Sequence, residues 1–450
     1  MKILRSLWLT CLVGFAGAVL AQTPLPPKPP TPPKPTVTIP QVPIPPAPQP
    51  NAASWVLMDY SNGQILAEHN MNQRRAPASL TKMMTWYIVA SEVKAGRIHL
   101  NDKVYISKYA WEHGGAATDG STSFLKLHSY VSVDNLLHGM IIQSGNDSAI
   151  ALAQHVAGTA PAFAQMMNAY AKRLGMTGTH YVNPSGYPAP DHYSTAHDTA
   201  LLARALIHNY PDLYKIAKIK SFTWDGIKQY NRNPLLTTDP SVDGIKTGST
   251  KEAGFCLAAS AVRNGMRLIA VTMGAPNMNN AASGDEALFN WGFNFYRNHK
   301  LYAAGQVLAE PRLWKGAANT LQVGVTENAE VTIPRGKYDE LKATMELPAR
   351  LIAPFKKGQH VGTLNVTFQG KPLLSEPLVV MQDAPQGGFF KRLWDAILLW
   401  FHHGSGTTTT PAPTVTVSPA TPVAPSAATA PVSAPSAPAA SAPTTSPTAS

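Results

Sequence analysis

Proline narrows what this chain can fold into more than any other residue, because it is crowded near the ends. About half of residues 22–50 are proline, as in Pro26-Pro27-Lys28-Pro29-Pro30. Proline fixes φ and removes a backbone donor, so this stretch is predicted to be a semi-rigid polyproline-type spacer. From Gly404 to Ser450 only Gly, Thr, Pro, Ala, Val and Ser occur, with no charge and no aromatic ring. That composition cannot build a core and predicts a disordered tail. A compact fold is therefore expected between about residues 51 and 403.

Ahead of the spacer, Met1 to Ala21 carry Lys2 and Arg5, then an apolar run from Leu7 to Leu20, then Val19-Leu20-Ala21 with small residues at the cleavage positions. The pattern predicts a cleaved signal peptide. The apolar run is shorter than the ~20 residues that a spanning helix needs. Cys11 lies inside it, so the exported chain keeps only Cys256 and can form no internal disulfide. Cys256, in the apolar stretch Phe255-Cys256-Leu257-Ala258, reads as a buried small hydrophobe. The formal charge is +11, but no Lys/Arg run is interleaved with aromatic residues, which argues against a nucleic-acid partner. A basic exported protein suits an anionic wall or membrane surface.

Residues 51–299 read as one α/β domain. Ser54 to Asp59 is strand-like, Asn62-Gly63 is a hairpin turn, and a helix is predicted over 79–95, with further helices near 133–143, 146–157, 161–174 and 196–209. Strands return at 254–262 and 266–274, and a helix near 285–298 closes the region. A sheet assembled from distant segments follows from this order. Residues 300–384 carry short alternating runs such as Leu321-Gln322-Val323-Gly324-Val325, separated by turn signals, and predict a small β-sandwich-like domain. Within residues 385–403, the stretch 389–401 predicts an amphipathic helix. Phe390, Trp394, Ile397 and Phe401 share one side; Lys391, Arg392 and Asp395 share the other. It is too short to span a bilayer but suited to lie in a membrane interface.

Ser79-Leu80-Thr81-Lys82 places a serine and a lysine three residues apart at a helix start. There the two side chains share a face, and unpaired backbone N–H groups are available to an oxyanion. The pattern recurs at Ser91-Glu92-Val93-Lys94 and Ser123-Phe124-Leu125-Lys126, but the first of these lies at a helix end and the second in a strand-like stretch. Two companions occur once each: Ser144-Gly145-Asn146, and Lys246-Thr247-Gly248 before a strand. Lysine charge, a threonine hydroxyl and a glycine that leaves room for a substrate backbone make a carboxylate site.

In this order and wording the motifs resemble the penicillin-binding proteins and serine β-lactamases. Pro77 to Lys82, Gly139 to Asp147, Asn183-Pro184-Ser185-Gly186 and Asn231-Arg232-Asn233 are similar to the low-molecular-mass D-alanyl-D-alanine carboxypeptidases, over roughly residues 53–403. The resemblance implies a penicillin-recognising serine transpeptidase/β-lactamase-like α/β (α+β) catalytic domain, an antiparallel sheet flanked by helices, with the small β-domain behind it. It implies Ser79 as nucleophile, Lys82 as base and Ser144 as proton relay. Asn146 would hold the substrate amide, and Lys246, Thr247 and Arg232 the terminal carboxylate, beside Gly248. The backbone N–H groups of Ser79 and Ser249 would form the oxyanion hole. No metal or cofactor is expected. The implied substrate is the pentapeptide stem of peptidoglycan, with β-lactams as inhibitors and a role in wall remodelling and cell shape. The implied location is the periplasm, peripherally on the outer face of the inner membrane. A D,D-endopeptidase or β-lactamase using the same residues, and a non-catalytic wall-binding scaffold, are the rival readings. Members often carry an arginine after the strand that follows K-T-G; here Pro276 to Ser283 holds no basic residue.

Overall fold

The structure, a computed structural model, describes residues 44–401 and 407–413. The expected signal peptide, most of the spacer and residues 414–450 lie outside the described residues. Strands β1 (Ser54–Asp59) and β2 (Ile65–His69) form the N-terminal hairpin. Helix α1 (Lys82–Lys94) follows a 3₁₀ turn over Ala78–Thr81. Then come β3 (Lys103–Tyr105), α2 (Lys108–Gly114), β4 (Tyr130–Ser132), α3 (Val133–His138), α4 (Asn146–Ala157), α5 (Ala160–Arg173) and α6 (Ala196–Asn209). Single-turn helices α7 (Pro211–Tyr214) and α8 (Leu235–Thr238) bracket a hairpin of β5 (Ser221–Trp224) and β6 (Ile227–Tyr230). The chain returns as β7 (Val242–Thr250), β8 (Gly254–Arg263) and β9 (Met266–Ala275), giving an antiparallel five-stranded sheet in the order β2-β1-β9-β8-β7.

Both faces of this sheet are buried, which is why its strands read as nearly continuous apolar runs. Val56, Met58, Ala258, Ile269 and Val271 pack against Met83, Trp86 and the other helices of one layer. Trp55, Leu57, Leu257, Ala259 and Leu268 pack against Leu288, Phe289 and Trp291 of α9 (Met278–Phe295) on the other. The alternation of strand side chains divides the two sets. Helix α9 starts seven residues before the expected position. The Asn277 side chain caps it by accepting from the Asn280 N–H at 2.9 Å, and this cap carries the weak helix formers behind it. The helix stops at Phe295 because Tyr296 turns extended and enters a sheet.

The small domain therefore begins at Tyr296, not at residue 300. Strand β10 (Tyr296–Tyr302) pairs with β14 (Ala329–Pro334). Strands β11 (Val307–Ala309), β12 (Leu313–Trp314), β13 (Val323–Gly324), β15 (Leu341–Pro348), β16 (Leu351–Ile352), β17 (His360–Phe368) and β18 (Lys371–Val380) build the rest around its own apolar core. Helix α10 (Phe389–Phe401) lies on this domain by its polar side. Asp395, only 4 % exposed, accepts from the Lys315 N–H at 2.7 Å and pairs with Arg312 at 3.5 Å, and Lys391 Nζ donates to Asn319 Oδ1 at 2.6 Å.

Two segments expected to lie outside the fold belong to it. Residues 44–50, assigned to the spacer, dock on α9: the Trp291 indole donates to the Pro45 carbonyl at 3.0 Å, and Ala47 packs into the core beside it. Part of the tail expected to be disordered forms strand β19 (Thr407–Pro411), which adds to the edge of a six-stranded sheet in the order β11-β13-β18-β17-β15-β19. Four consecutive β-branched threonines suit an extended edge, and β15 offers the unpaired backbone that receives them. Ala412 N–H extends the pairing to the Ala343 carbonyl at 3.0 Å, and the Tyr302 hydroxyl donates to the Pro413 carbonyl at 2.9 Å.

Candidate active site

The turn before α1 brings Ser79 to the surface of the helical layer while Lys82, one turn on, is buried at 1 % exposure. Lys82 Nζ contacts Ser79 Oγ at 2.9 Å, Asn146 Oδ1 at 2.6 Å and the Ser185 carbonyl at 2.5 Å. The last two atoms can only accept. A neutral amine that donates to both has its one lone pair directed at the Ser79 hydroxyl, the geometry of a general base. Burial first, then the charges of Lys246 and Arg232, hold the Lys82 pKa well below the usual lysine range, with Asp147 opposing them.

A π-helical stretch, Gly139–Gln143, ends at Ser144, whose backbone is left-handed at φ 70°. The Gly145 N–H closes the turn on the Gly139 carbonyl at 3.1 Å, and Asn146 then opens α4. Asn146, expected to hold a substrate amide, spends its carbonyl oxygen on Lys82 and keeps its amide NH₂. Beside it Asp147 is fully buried and accepts from Thr122 Oγ1 at 2.7 Å and from the backbone N–H groups of Ser123 at 2.8 Å, Ser148 at 2.9 Å and Leu125 at 3.2 Å. Burial nonetheless pushes its carboxyl above the usual range. These bonds fix the 121–125 loop, and Ser121 there accepts from Arg232 Nη1 at 2.7 Å.

Strand β7 is the sheet edge facing this cluster. Lys246 and Thr247 are buried on it, whereas Ser249 is exposed near its end. Lys246 Nζ donates to the Thr247 carbonyl at 2.9 Å, and burial, then the Arg232 charge, brings its pKa down to about 7. Gly248 also sits tightly against the turn that carries the nucleophile. A Cβ there would stand 2.9 Å from Ser79 N and 3.1 Å from Leu80 N, so the missing side chain lets the strand approach the nucleophile's own turn.

The other two S-x-x-K serines lie elsewhere. Ser91 bonds Tyr170 in the last turns of α1, and Ser123 is buried in the loop bonded to Asp147. Thr195 caps α6 by accepting from the Asp198 N–H at 3.0 Å. Cys256 is buried, and its thiol is pushed up to about 11 by burial. Among the described residues no His, Cys, Asp and Glu cluster could hold a metal ion.

Three contributors were not singled out from sequence. The Ser185 carbonyl, the Asp147 cage and a buried imidazole, His192, all reach the site through tertiary contact. His192 Nδ1 accepts from the Val182 N–H at 3.0 Å, so its Nε2 carries the proton and donates to Thr81 Oγ1 at 2.8 Å. Burial, with His180 and Lys82 nearby, brings its pKa down to about 4. Asp147 and Ser185 lie in stretches that carry the family resemblance, Gly139 to Asp147 and Asn183 to Gly186, but their contacts with the site were not legible there, and His192 left no signal.

The chain is similar to known proteins over both of its domains. Residues 41–277 match the family model of Peptidase S11, D-alanyl-D-alanine carboxypeptidase, and residues 296–386 match the C-terminal domain of penicillin-binding protein 5. The D-alanyl-D-alanine carboxypeptidases DacC and DacA of Escherichia coli are 45 % and 42 % identical over 79 % and 80 % of this chain, and 90 % of each relative is covered. The crystal structure of penicillin-binding protein 5 from Haemophilus influenzae superposes with a TM-score of 0.71 at 42 % identity, covering 75 % of this chain and 99 % of that one. Penicillin-binding protein 6B from Escherichia coli gives a TM-score of 0.61 at 37 % identity over 75 % of this chain and 98 % of its own. With its serine, lysine and asparagine in direct contact and both of its domains matched, the chain belongs to the S11 D-alanyl-D-alanine carboxypeptidase family of penicillin-binding serine hydrolases.

Proposed function

We propose that this protein removes the terminal D-alanine from peptidoglycan pentapeptide stems through a Ser79 acyl-enzyme. The observation that carries the reading is the 2.9 Å contact of buried Lys82 Nζ with Ser79 Oγ beside two obligate acceptors, which leaves the lone pair of a neutral amine for that hydroxyl. Lys82 takes the hydroxyl proton as Ser79 Oγ attacks the carbonyl between the two D-alanines. The backbone N–H groups of Ser79 and Ser249 stabilise the oxyanion. As the C–N bond breaks, Ser144 passes a proton to the leaving amine. Lys246, Thr247 and Arg232 hold the terminal carboxylate, which selects for carboxypeptidase action. Arg232 is the cation that serves this end of the site where members carry the later arginine. Water then hydrolyses the ester and returns the proton to Oγ. A β-lactam offers the same carbonyl, so penicillin acylates the same serine. The experiment is to incubate the protein with a pentapeptide stem and measure free D-alanine. Release that disappears in Ser79→Ala supports the reading, and release that persists in Ser79→Ala overturns it.

The exported location and the peripheral membrane attachment belong to the same proposal. Helix α10 turns its polar side inward on the β-domain and leaves Phe390 84 % and Trp400 80 % exposed. No described helix is long and apolar enough to cross a membrane. An outward apolar face on a pinned short helix suits an interfacial anchor.

A further inference from the structure

A groove of about 720 Å³ opens between the chain leading into the Ser79 turn and the 188–193 loop; Arg74, Arg75, Asp191 and Glu252 line it. It narrows into a neck bounded by Ala78 and Thr250, which are the sequence neighbours of Ser79 and Ser249. The groove therefore starts at the C-terminal end of β7, four residues beyond Lys246 and on the side where the acyl half of a substrate would leave the reaction centre. The Arg75 backbone is held by a bridge to Ser194, in both directions, at 2.8 and 2.9 Å. Its guanidinium lies over Gly274, whose φ is +77° and where a Cβ would come within 2.7 Å of Nη2. That space exists because the position is glycine.

Arg75 Nε is buried without a hydrogen-bond partner, and no ion pair engages Arg75 or Glu252 among the described residues. Arg74, in contrast, is spent on the Tyr193 ring, 4.6 Å from its centroid. The buried Nε is closed to any ligand, so recognition falls to the part of Arg75 that lines the groove. Here a free guanidinium and a free carboxylate share one groove, a pairing that fits a ligand group carrying both charges.

We infer that this groove is a subsite for the side chain of the residue preceding the acyl D-alanine, when that side chain ends in an amino-acid head. The carboxylate of the head sits on Arg75 and its ammonium on Glu252. The reach is suitable: Ser79 lies four positions after Arg75, at most about 13 Å of extended chain, and one further residue with a long aliphatic side chain covers a comparable distance. The inference rests on the proposed carboxypeptidase reading, which supplies the acyl donor.

The test uses three D-Ala-D-Ala peptides that differ only in that residue: meso-diaminopimelate, the same residue with its side-chain carboxylate amidated, and lysine. The full chain should cleave the first with a kcat/KM roughly tenfold above the second, the scale of one partly exposed charge-assisted contact, and the difference should fall in KM. Arg75→Gln should bring these two peptides to the same rate. Exposed Glu252→Gln, which carries little folding risk, should slow the diaminopimelate and lysine peptides together. Equal rates for all three peptides on the unmodified protein would overturn the subsite. So would an Arg75→Gln loss of equal size on every peptide and on penicillin acylation, which would mark Arg75 as a packing residue. Absence of D-alanine release from every peptide would instead remove the carboxypeptidase reading itself.

Discussion

Asn146 Oδ1 lies 2.6 Å from Lys82 Nζ, closer than Ser79 Oγ does. The amide oxygen is a neutral acceptor, so it orients the amine without demanding that it stay charged. A carboxylate at the same place would favour the ammonium form and raise the Lys82 pKa. Asn146→Asp should therefore slow penicillin acylation at neutral pH by about tenfold for each unit by which the lysine pKa then exceeds the working pH. The rate should recover as pH rises. An acylation rate in Asn146→Asp that stays flat between pH 7 and 10 would show that Lys82 is not the base.

The Lys246 ammonium gives the opposite limb. Lys82 must be neutral to act, but Lys246 must be charged to hold a carboxylate. With its pKa down to about 7, the free protein loses that charge as pH rises through neutrality. The kcat/KM for a substrate with a free terminal carboxylate should fall above about pH 7, because this ratio reports the free enzyme. The fall should weaken in kcat, since a bound anion raises the lysine pKa. Arg232 is the second cause of the depression, so Arg232→Ala should move the falling limb to higher pH while lowering its plateau roughly ten- to a hundredfold. A limb that stays in place in Arg232→Ala would contradict the coupling.

Gly248→Ala tests the close approach of strand and turn. The new Cβ meets the backbone nitrogens of Ser79 and Leu80 at 2.9 and 3.1 Å, and neither can swing away as a side chain could. Strand β7 or the Ser79 turn must shift by a few tenths of an ångström or more. Acylation should drop on the order of a hundredfold, since displacements of about 1 Å cost that much. Overpacking should also cost about 1–3 kcal/mol of stability. Stopped-flow acylation with a chromogenic β-lactam reads the first, and a thermal melt reads the second.

What was legible in the sequence was local. Ser79 and Lys82 sit one helical turn apart by spacing alone, and the two companion motifs name their own chemistry. The contacts that set the protonation state were not legible. Asn146 and the Ser185 carbonyl reach Lys82 from 64 and 103 residues away, and a backbone carbonyl carries no residue-type signal. The fold followed the same division. The apolar strands and amphipathic helices fell near their expected places, but segments whose structure depends on a partner did not. Residues 44–50 are held by the α9 surface, and Thr407–Pro411 by the β15 edge. Neither has an apolar period of its own. The start of α9 was hidden because Asn277 caps a run of asparagine, serine and glycine that reads as loop.

The orientation of α10 yields the last prediction. Asp395 and Lys391 fasten one side of the helix to the β-domain, while Phe389, Phe390, Leu393, Trp394, Ile397 and Trp400 all face outward and exposed. Burying one such large side chain is worth roughly 1.5–3 kcal/mol, and Arg392, which is exposed on the same helix, adds attraction to anionic lipid of about 1 kcal/mol. The protein should co-sediment with liposomes of anionic composition, and moderate salt should weaken this without abolishing it, because apolar burial dominates. Trp394→Glu combined with Trp400→Glu should release it, and neither position contributes to the contacts that Asp395 and Lys391 make with the domain. Deleting residues 407–450 should leave binding intact, since β19 pairs with β15 through backbone and carries no charge and no large apolar side chain. Binding that survives the double glutamate variant but vanishes with the tail would place the anchor on the wrong segment.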